Sequence, residues 1–165
     1  MRKALLAGTF DPPTLGHLDI IVRGARLCDK LYVAIAVNTR KSSGMFTVEE
    51  RKQMLKEMTI NLPNVEVVTF SGLVIDFVNS NGIDFLLRGL RAFSDLEHEF
   101  GMALANRKMS GIETLFLMAD ERHAHISSSL IREIATSGAH LDSFVPKNVM
   151  EQIYQRKDKL KALHT

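Results

Sequence analysis

The chain has 165 residues, 45% apolar and 24% charged, enough to bury one sizeable core and to form a single domain over residues 1–165. Twenty-one basic against nineteen acidic side chains leave a formal charge of only +2, which speaks against the basic face of a nucleic-acid-binding protein. No apolar run approaches the roughly 20 residues that span a bilayer, Met1-Arg2-Lys3 enters a strand-length run without a signal-cleavage pattern, and the lone Cys28 excludes an internal disulfide; a cytoplasmic location is expected.

The first strand is predicted over Lys3 to Ala7. It runs into Gly8-Thr9-Phe10-Asp11-Pro12-Pro13-Thr14-Leu15-Gly16-His17, a stiffened turn that delivers Thr14, Gly16 and His17 to the start of a helix. That helix carries Leu18, Ile21, Val22 and Ala25 on one face, with Cys28 as packing beyond it. A second strand covers Leu31 to Val37, and the polar loop Asn38 to Gly44 precedes Thr47-Val48-Glu49-Glu50, a capping-box spacing that opens a second helix. Strands over Val65 to Phe70, Phe85 to Arg88 and Thr114 to Met118 alternate with helices over about Leu73 to Asn81 and Asp95 to Lys108. The polar loop Ala119 to His125 then leads to a helix that begins at Ser127-Ser128-Ser129 and closes at Ser137-Gly138, and Pro146 starts the last one. Its basic run from Arg156 to Lys161 reads as a solvated face. Five strands alternating with helices predict an α/β fold, a Rossmann-like doubly wound domain on a five-stranded parallel sheet.

In such a sheet ligands collect beyond the carboxyl ends of the strands. Four of the five strand exits carry phosphate-compatible groups: Thr9, Arg40 with Lys41, Arg88-Gly89-Leu90-Arg91, and the serine run. A helix N-terminus suits an anion, and His17 can add a hydrogen bond to a phosphate oxygen, although taken alone such a turn is more often an ordinary one with Thr14 as the helix cap. The serines, with Arg132 one turn on, offer a second phosphate cradle or simply an N-cap. Arg88 and Arg91 can present guanidinium forks to phosphate or pair with neighbours such as Asp95. Lys41 can close over a substrate or stay solvated, and Glu99 can orient Arg91, accept from a sugar or base, or lie on a helix surface. His123 and His125 lack a supporting ligand, so no metal site is expected. Lys108-Met109-Ser110, followed by Gly111, reads as a helix C-terminal turn, and Met54 and Met58 as core filler.

Thr14-Leu15-Gly16-His17 and Ile126-Ser127-Ser128-Ser129-Leu130-Ile131-Arg132 resemble the two signatures of the nucleotidyltransferase superfamily marked by (His or Thr)-x-Gly-His. With Gly8-Thr9-Phe10-Asp11-Pro12, Met45-Phe46-Thr47, Arg88-Gly89-Leu90-Arg91, Glu97, Glu99 and Phe116-Leu117-Met118 in the same order and spacing, nearly the whole chain resembles the bacterial phosphopantetheine adenylyltransferases. Leu6-Ala7, Leu15 and His123 depart from the residues common in that family.

The resemblance implies adenylyl transfer from ATP to 4'-phosphopantetheine, with magnesium as cofactor. It implies that Thr9 contacts both substrates, that Lys41, Val74 and Arg88 serve the acceptor, and that Phe10, His17, Gly89, Leu90, Arg91 and Glu99 hold ATP. The segment His123, Ala124, His125, Ile126, Ser127, Ser128 and Ser129 would hold ATP as well. His17 is the catalytic candidate, in a direct in-line displacement without an enzyme nucleophile. The resemblance further implies a homohexamer and feedback binding of coenzyme A. A transferase acting on nicotinate mononucleotide or a polyol phosphate, and a non-catalytic nucleotide sensor, are the alternatives.

Overall fold

The computed structural model describes residues 1–37, 44–137 and 139–162. Within them, strands β1 (Lys3–Gly8), β2 (Lys30–Ala36), β3 (Val65–Phe70), β4 (Phe85–Leu90) and β5 (Glu113–Met118) form one parallel sheet in the order β3-β2-β1-β4-β5. The helices are α1 (Leu15–Ala25), α2 (Val48–Met58), α3 (Val74–Asn81), α4 (Phe93–Ser110), α5 (Ser128–Ser137) and α6 (Lys147–Ala162). The chain winds outward from β1 to β3, then returns to lay β4 on the other side of β1. The β1–β4 seam is therefore the switch point where flanking connections diverge and a crevice opens. The expected fold class is the observed one.

Period-two alternation distributes the core over both sheet faces. Ala4, Leu6, Leu31, Val33, Ile35, Phe85 and Leu87 pack with Ile20, Ile21 and Ala25 of α1 and Leu55 of α2. Leu5, Ala34 and Leu86 point the other way, into a cluster with Val78 of α3. A third cluster, built from Phe46, Met54, Ile131, Leu141, Val149 and Ile153, fastens α5 and α6 beside α2. Met54 is thus core, as its helical spacing predicts, and half-buried Cys28 packs against the first cluster, its thiol pushed up in pKa mainly by burial.

Close approach of α1 to β4 depends on Gly24, where an added Cβ would stand 2.2 Å from Leu87 Cδ2. Gly24→Ala is expected to destabilise the fold by about 1–3 kcal/mol in chemical denaturation, the usual cost of overpacking. Leu87→Val should recover part of that loss. A double variant no more stable than Gly24→Ala alone would show that the clash is not the cause.

Gly111 ends α4 in a left-handed conformation, φ 73°, with its N–H donated to Arg107 O at 2.7 Å, so Lys108-Met109-Ser110 is the last turn of a helix, as expected. That helix begins at Phe93 rather than near Asp95, which lies inside its first turn. Gly138, expected to close α5, and Lys41 lie outside the described residues. Arg156 is not part of a solvated face: it pairs with Glu50 at 2.5 Å and lies over the Phe46 ring, 4.8 Å from its centroid.

Candidate active site

The site starts from the β1–α1 turn. Thr14 is the N-cap of α1, and its Oγ1 accepts the His17 N–H at 3.2 Å. In return His17 Nδ1 accepts the Thr14 N–H at 3.0 Å, completing a capping box in which an imidazole replaces the usual carboxylate or amide. Thr14 is therefore a helix cap, and capping determines the chemistry of His17. With Nδ1 engaged as an acceptor, the neutral ring carries its proton on Nε2.

Burial first, then the Arg91 and Arg88 guanidiniums, push the His17 pKa from 6.5 down to about 4. At neutral pH the ring is thus a neutral hydrogen-bond donor. NMR titration is expected to show a His17 midpoint near pH 4. The sign for stability follows: between about 4 and 6.5 the unfolded chain binds more protons than the native state. The His17 contribution is full above about 6.5 and declines as pH falls toward 4. A midpoint at or above 6 would mean that burial and the two guanidiniums do not hold the ring neutral.

Phe10 stands in the left-handed region at φ 50°, and its buried ring meets the His17 ring edge-on, 4.9 Å between centroids. The turn between them is tied from behind through its carbonyls. Arg51 donates to Thr9 O at 2.8 Å, Arg132 to Asp11 O at 2.5 Å and Ser128 Oγ to Pro12 O at 2.8 Å. The buried Asp11 carboxylate accepts the Met45 and Phe46 N–H groups at 2.8 and 2.9 Å. Arg132, expected to reach phosphate, is thus a brace for the turn; its Nη2 also donates to Ser129 Oγ at 3.0 Å. Ser127 is the cap of α5, its Oγ accepting the Leu130 N–H at 3.1 Å.

Opposite the turn, Arg88 donates through Nε and Nη2 to the two Glu99 carboxylate oxygens, each at 2.6 Å, and through Nη1 to Ala7 O at 2.5 Å. Arg91 pairs with Asp95 at 3.0 Å and reaches Ile126 O at 3.4 Å. Glu99 therefore orients Arg88 rather than Arg91, and the Asp95 pairing holds for Arg91 alone.

These elements enclose a crevice of about 590 Å³ at the carboxyl ends of β1 and β4. Thr9, Phe10, His17, Arg88, Gly89, Arg91 and Glu99 line it, and so do His123, Ile126 and Ser127 to Ser129. His98, which carried no signal in the sequence, is on the wall too. A smaller chamber of about 150 Å³ adjoins it, sharing Ala7, Arg88, His98 and Glu99, and Val74 lies there. Leu90, Ala124 and His125 stand outside both linings; His125 packs edge-on against Phe144, 5.8 Å between centroids. Two buried polar atoms lack partners among the described residues: His123 Nδ1, on a residue of the crevice, and Thr114 Oγ1, on a residue of the chamber.

No three His, Cys, Asp or Glu side chains stand together as a metal cage among the described residues. In the crevice Asp95 and Glu99 are each committed to an arginine, so these residues do not fit a resident divalent cation. What the arrangement can do is hold phosphates between a neutral imidazole donor, two helix N-termini and guanidinium edges.

Comparison with known proteins agrees in fold and family. Residues 5–134 match the cytidylyltransferase-like family model. A phosphopantetheine adenylyltransferase of Rhizorhabdus wittichii is 48% identical over 161 residues, 97% of each chain. That of Corynebacterium diphtheriae is 44% identical over 156 residues, 94% of this chain and 98% of the relative. A crystal structure assigned as a nicotinate-nucleotide adenylyltransferase from Vibrio parahaemolyticus superposes with a TM-score of 0.68 over 93% of this chain and 99% of its own, at 17% identity, a likeness of fold.

Proposed function

The chain belongs to the phosphopantetheine adenylyltransferases of the cytidylyltransferase-like family, and on that premise we propose how its crevice transfers the adenylyl group of ATP to 4'-phosphopantetheine. The products are dephospho-coenzyme A and pyrophosphate. An acceptor phosphate oxygen attacks the α-phosphorus in line; the new P–O bond forms as the bond to the β-phosphate bridging oxygen breaks, and pyrophosphate leaves with that electron pair. The observation that carries this reading is the capped His17: its Nε2–H is a fixed, neutral donor for charge growing on the α-phosphoryl oxygens. The crevice lining contains no thiol, and an already ionised acceptor phosphate needs no enzyme nucleophile.

ATP is assigned to the side of His17, His123 and the serine run, where His123 Nδ1 has an unmet hydrogen bond that a base edge can satisfy. The acceptor phosphate is assigned to Thr9, Arg88 and Lys41, and the pantetheine arm to the chamber beside Val74, where Thr114 Oγ1 is available to an amide. Arg88 and Arg91 are balanced by Glu99 and Asp95, so the polyphosphate must bring its own counter-ion. Magnesium is accordingly read as part of the ATP complex, held by phosphate oxygens. Coenzyme A unites the adenylyl and pantetheine halves of the two substrates, which makes it a natural competitor for the same crevice and supports feedback binding. A cytoplasmic location belongs to the same reading; no helix among the described residues is long and apolar enough to cross a membrane.

Self-association is assigned to α4 and β5. Phe93, Phe100, Leu104, Met109, Leu115 and Met118 are all exposed there, large apolar side chains of the kind that mark an interaction face. The occupant proposed is further copies of this chain, as a homohexamer. A monomer in sedimentation would overturn that assignment.

The activity is tested by pyrophosphate release from purified protein with ATP and magnesium. The acceptors are 4'-phosphopantetheine, nicotinate mononucleotide and glycerol 3-phosphate in parallel arms. Release with 4'-phosphopantetheine alone is expected. Release with another acceptor would move the reading to a sibling transferase, and ATP binding without release to a nucleotide sensor.

A further inference from the structure

Arg88 and Glu99 lie on the seam of the two cavities and line both. Glu99 is only 15% exposed, and each of its carboxylate oxygens already takes a charged N–H at 2.6 Å. A carboxylate so engaged is a poor partner for a triphosphate, which is anionic and has no donors at neutral pH. Its neighbour is the better candidate. A guanidinium has five N–H groups. The Glu99 fork uses one on Nε and one on Nη2, and Ala7 O uses one on Nη1, so one N–H on each Nη remains. The guanidinium plane is fixed from two sides, by α4 through Glu99 and by β1 through the Ala7 carbonyl.

We propose that Glu99 is a positioning residue for Arg88, holding the guanidinium so that its two remaining N–H groups face the acceptor phosphate, and that Glu99 thereby sets acceptor affinity. On the acceptor Glu99 acts through Arg88. The effect on acceptor affinity rests on the proposed function, in which Arg88 binds the acceptor phosphate. The Glu99–Arg88 pairing itself stands apart from it.

Pyrophosphate release under varied ATP and varied 4'-phosphopantetheine tests the proposal on wild type, Glu99→Gln, Arg88→Lys and the double variant. Glu99→Gln is expected to raise the acceptor KM about tenfold, the scale of a lost charged hydrogen bond. Added to Arg88→Lys, the same change should alter the acceptor KM by less than about threefold, because the group it positions is gone. Glu99→Asp, which keeps the charge on a shorter arm, should fall between wild type and Glu99→Gln. A raised ATP KM with an unchanged acceptor KM, or effects that multiply in the double variant, would overturn the proposal.

A second readout needs no turnover. The Arg88 Nε–H proton, identified by its absence in Arg88→Lys, should persist in the NMR spectrum of the wild type and exchange rapidly in Glu99→Gln. If wild type releases no pyrophosphate with 4'-phosphopantetheine, the functional reading fails while this signal still judges the pairing. An Arg88 signal indifferent to Glu99→Gln would overturn the positioning role even in an active enzyme.

Discussion

His17→Ala is expected to reduce turnover by about 10²-fold or more, the scale of losing one preorganised donor aimed at developing charge. The same side chain also completes the α1 capping box, so the alanine variant loses about 1 kcal/mol of stability as well. Two variants separate the roles. Glutamine is a natural capping-box residue at this position, and His17→Gln should recover the thermal stability lost in His17→Ala. Its amide lies differently in the crevice, and turnover should stay low. Steady-state pyrophosphate release beside thermal melts decides the matter: turnover of His17→Ala within about threefold of wild type would remove His17 from the mechanism, since so small a loss is well under the value of one donor.

The second large effect concerns stability. Asp11→Ala removes a buried carboxylate that accepts the Met45 and Phe46 N–H groups and stitches the β1–α1 turn to the approach of α2. The loss should be about 3–5 kcal/mol, since two charge-assisted bonds vanish and two amides are left unpaired. In a chain of this size that lowers the melting temperature by about 10 °C. Asp11→Asn keeps one acceptor oxygen and should fall between wild type and alanine. A urea midpoint for Asp11→Ala equivalent to less than about 1 kcal/mol would mean that water satisfies these amides. The same variant should also weaken turnover, because Phe10, which packs on His17, is next in the chain.

The elements were legible because their signals are local. Alternation in Leu5-Leu6 or Leu31-Tyr32-Val33 assigns each side chain to a sheet face within a few residues, and the observed clusters divide along that alternation. Thr47 to Glu50 caps α2 as its spacing predicts, through a 2.7 Å bond from Thr47 N–H to the Glu50 carboxylate. Edges were less secure. Asp95 resembles a helix start because acidic residues favour a first turn, and it occupies that turn two residues into α4.

Much of the site was legible for the same reason. Thr14 to His17 and the serine run sit beside strand exits in the sequence itself, and a parallel sheet gathers such exits at one end. The partners of the long side chains were not. Arg88 selects Glu99 eleven residues away and the Ala7 carbonyl eighty-one away; Arg132 selects the Asp11 carbonyl across 121 residues. Nothing in local spacing distinguishes Glu99 from Asp95 as the partner of Arg88. The choice rests on where α4 crosses the end of β4.

The sequence by itself thus determined the α/β class, the order of elements, the two faces of the sheet and the set of polar residues gathered at its carboxyl edge, because each follows from periodicity and turn chemistry over a few neighbouring residues. Tertiary structure alone decided which cations are left to meet a ligand and which are braces, and that the ring holding the cap of α1 is the ring facing the crevice. Those outcomes depend on ångström-scale distances between elements far apart in the chain, set by helix docking on the sheet and not by any local preference of the residues concerned.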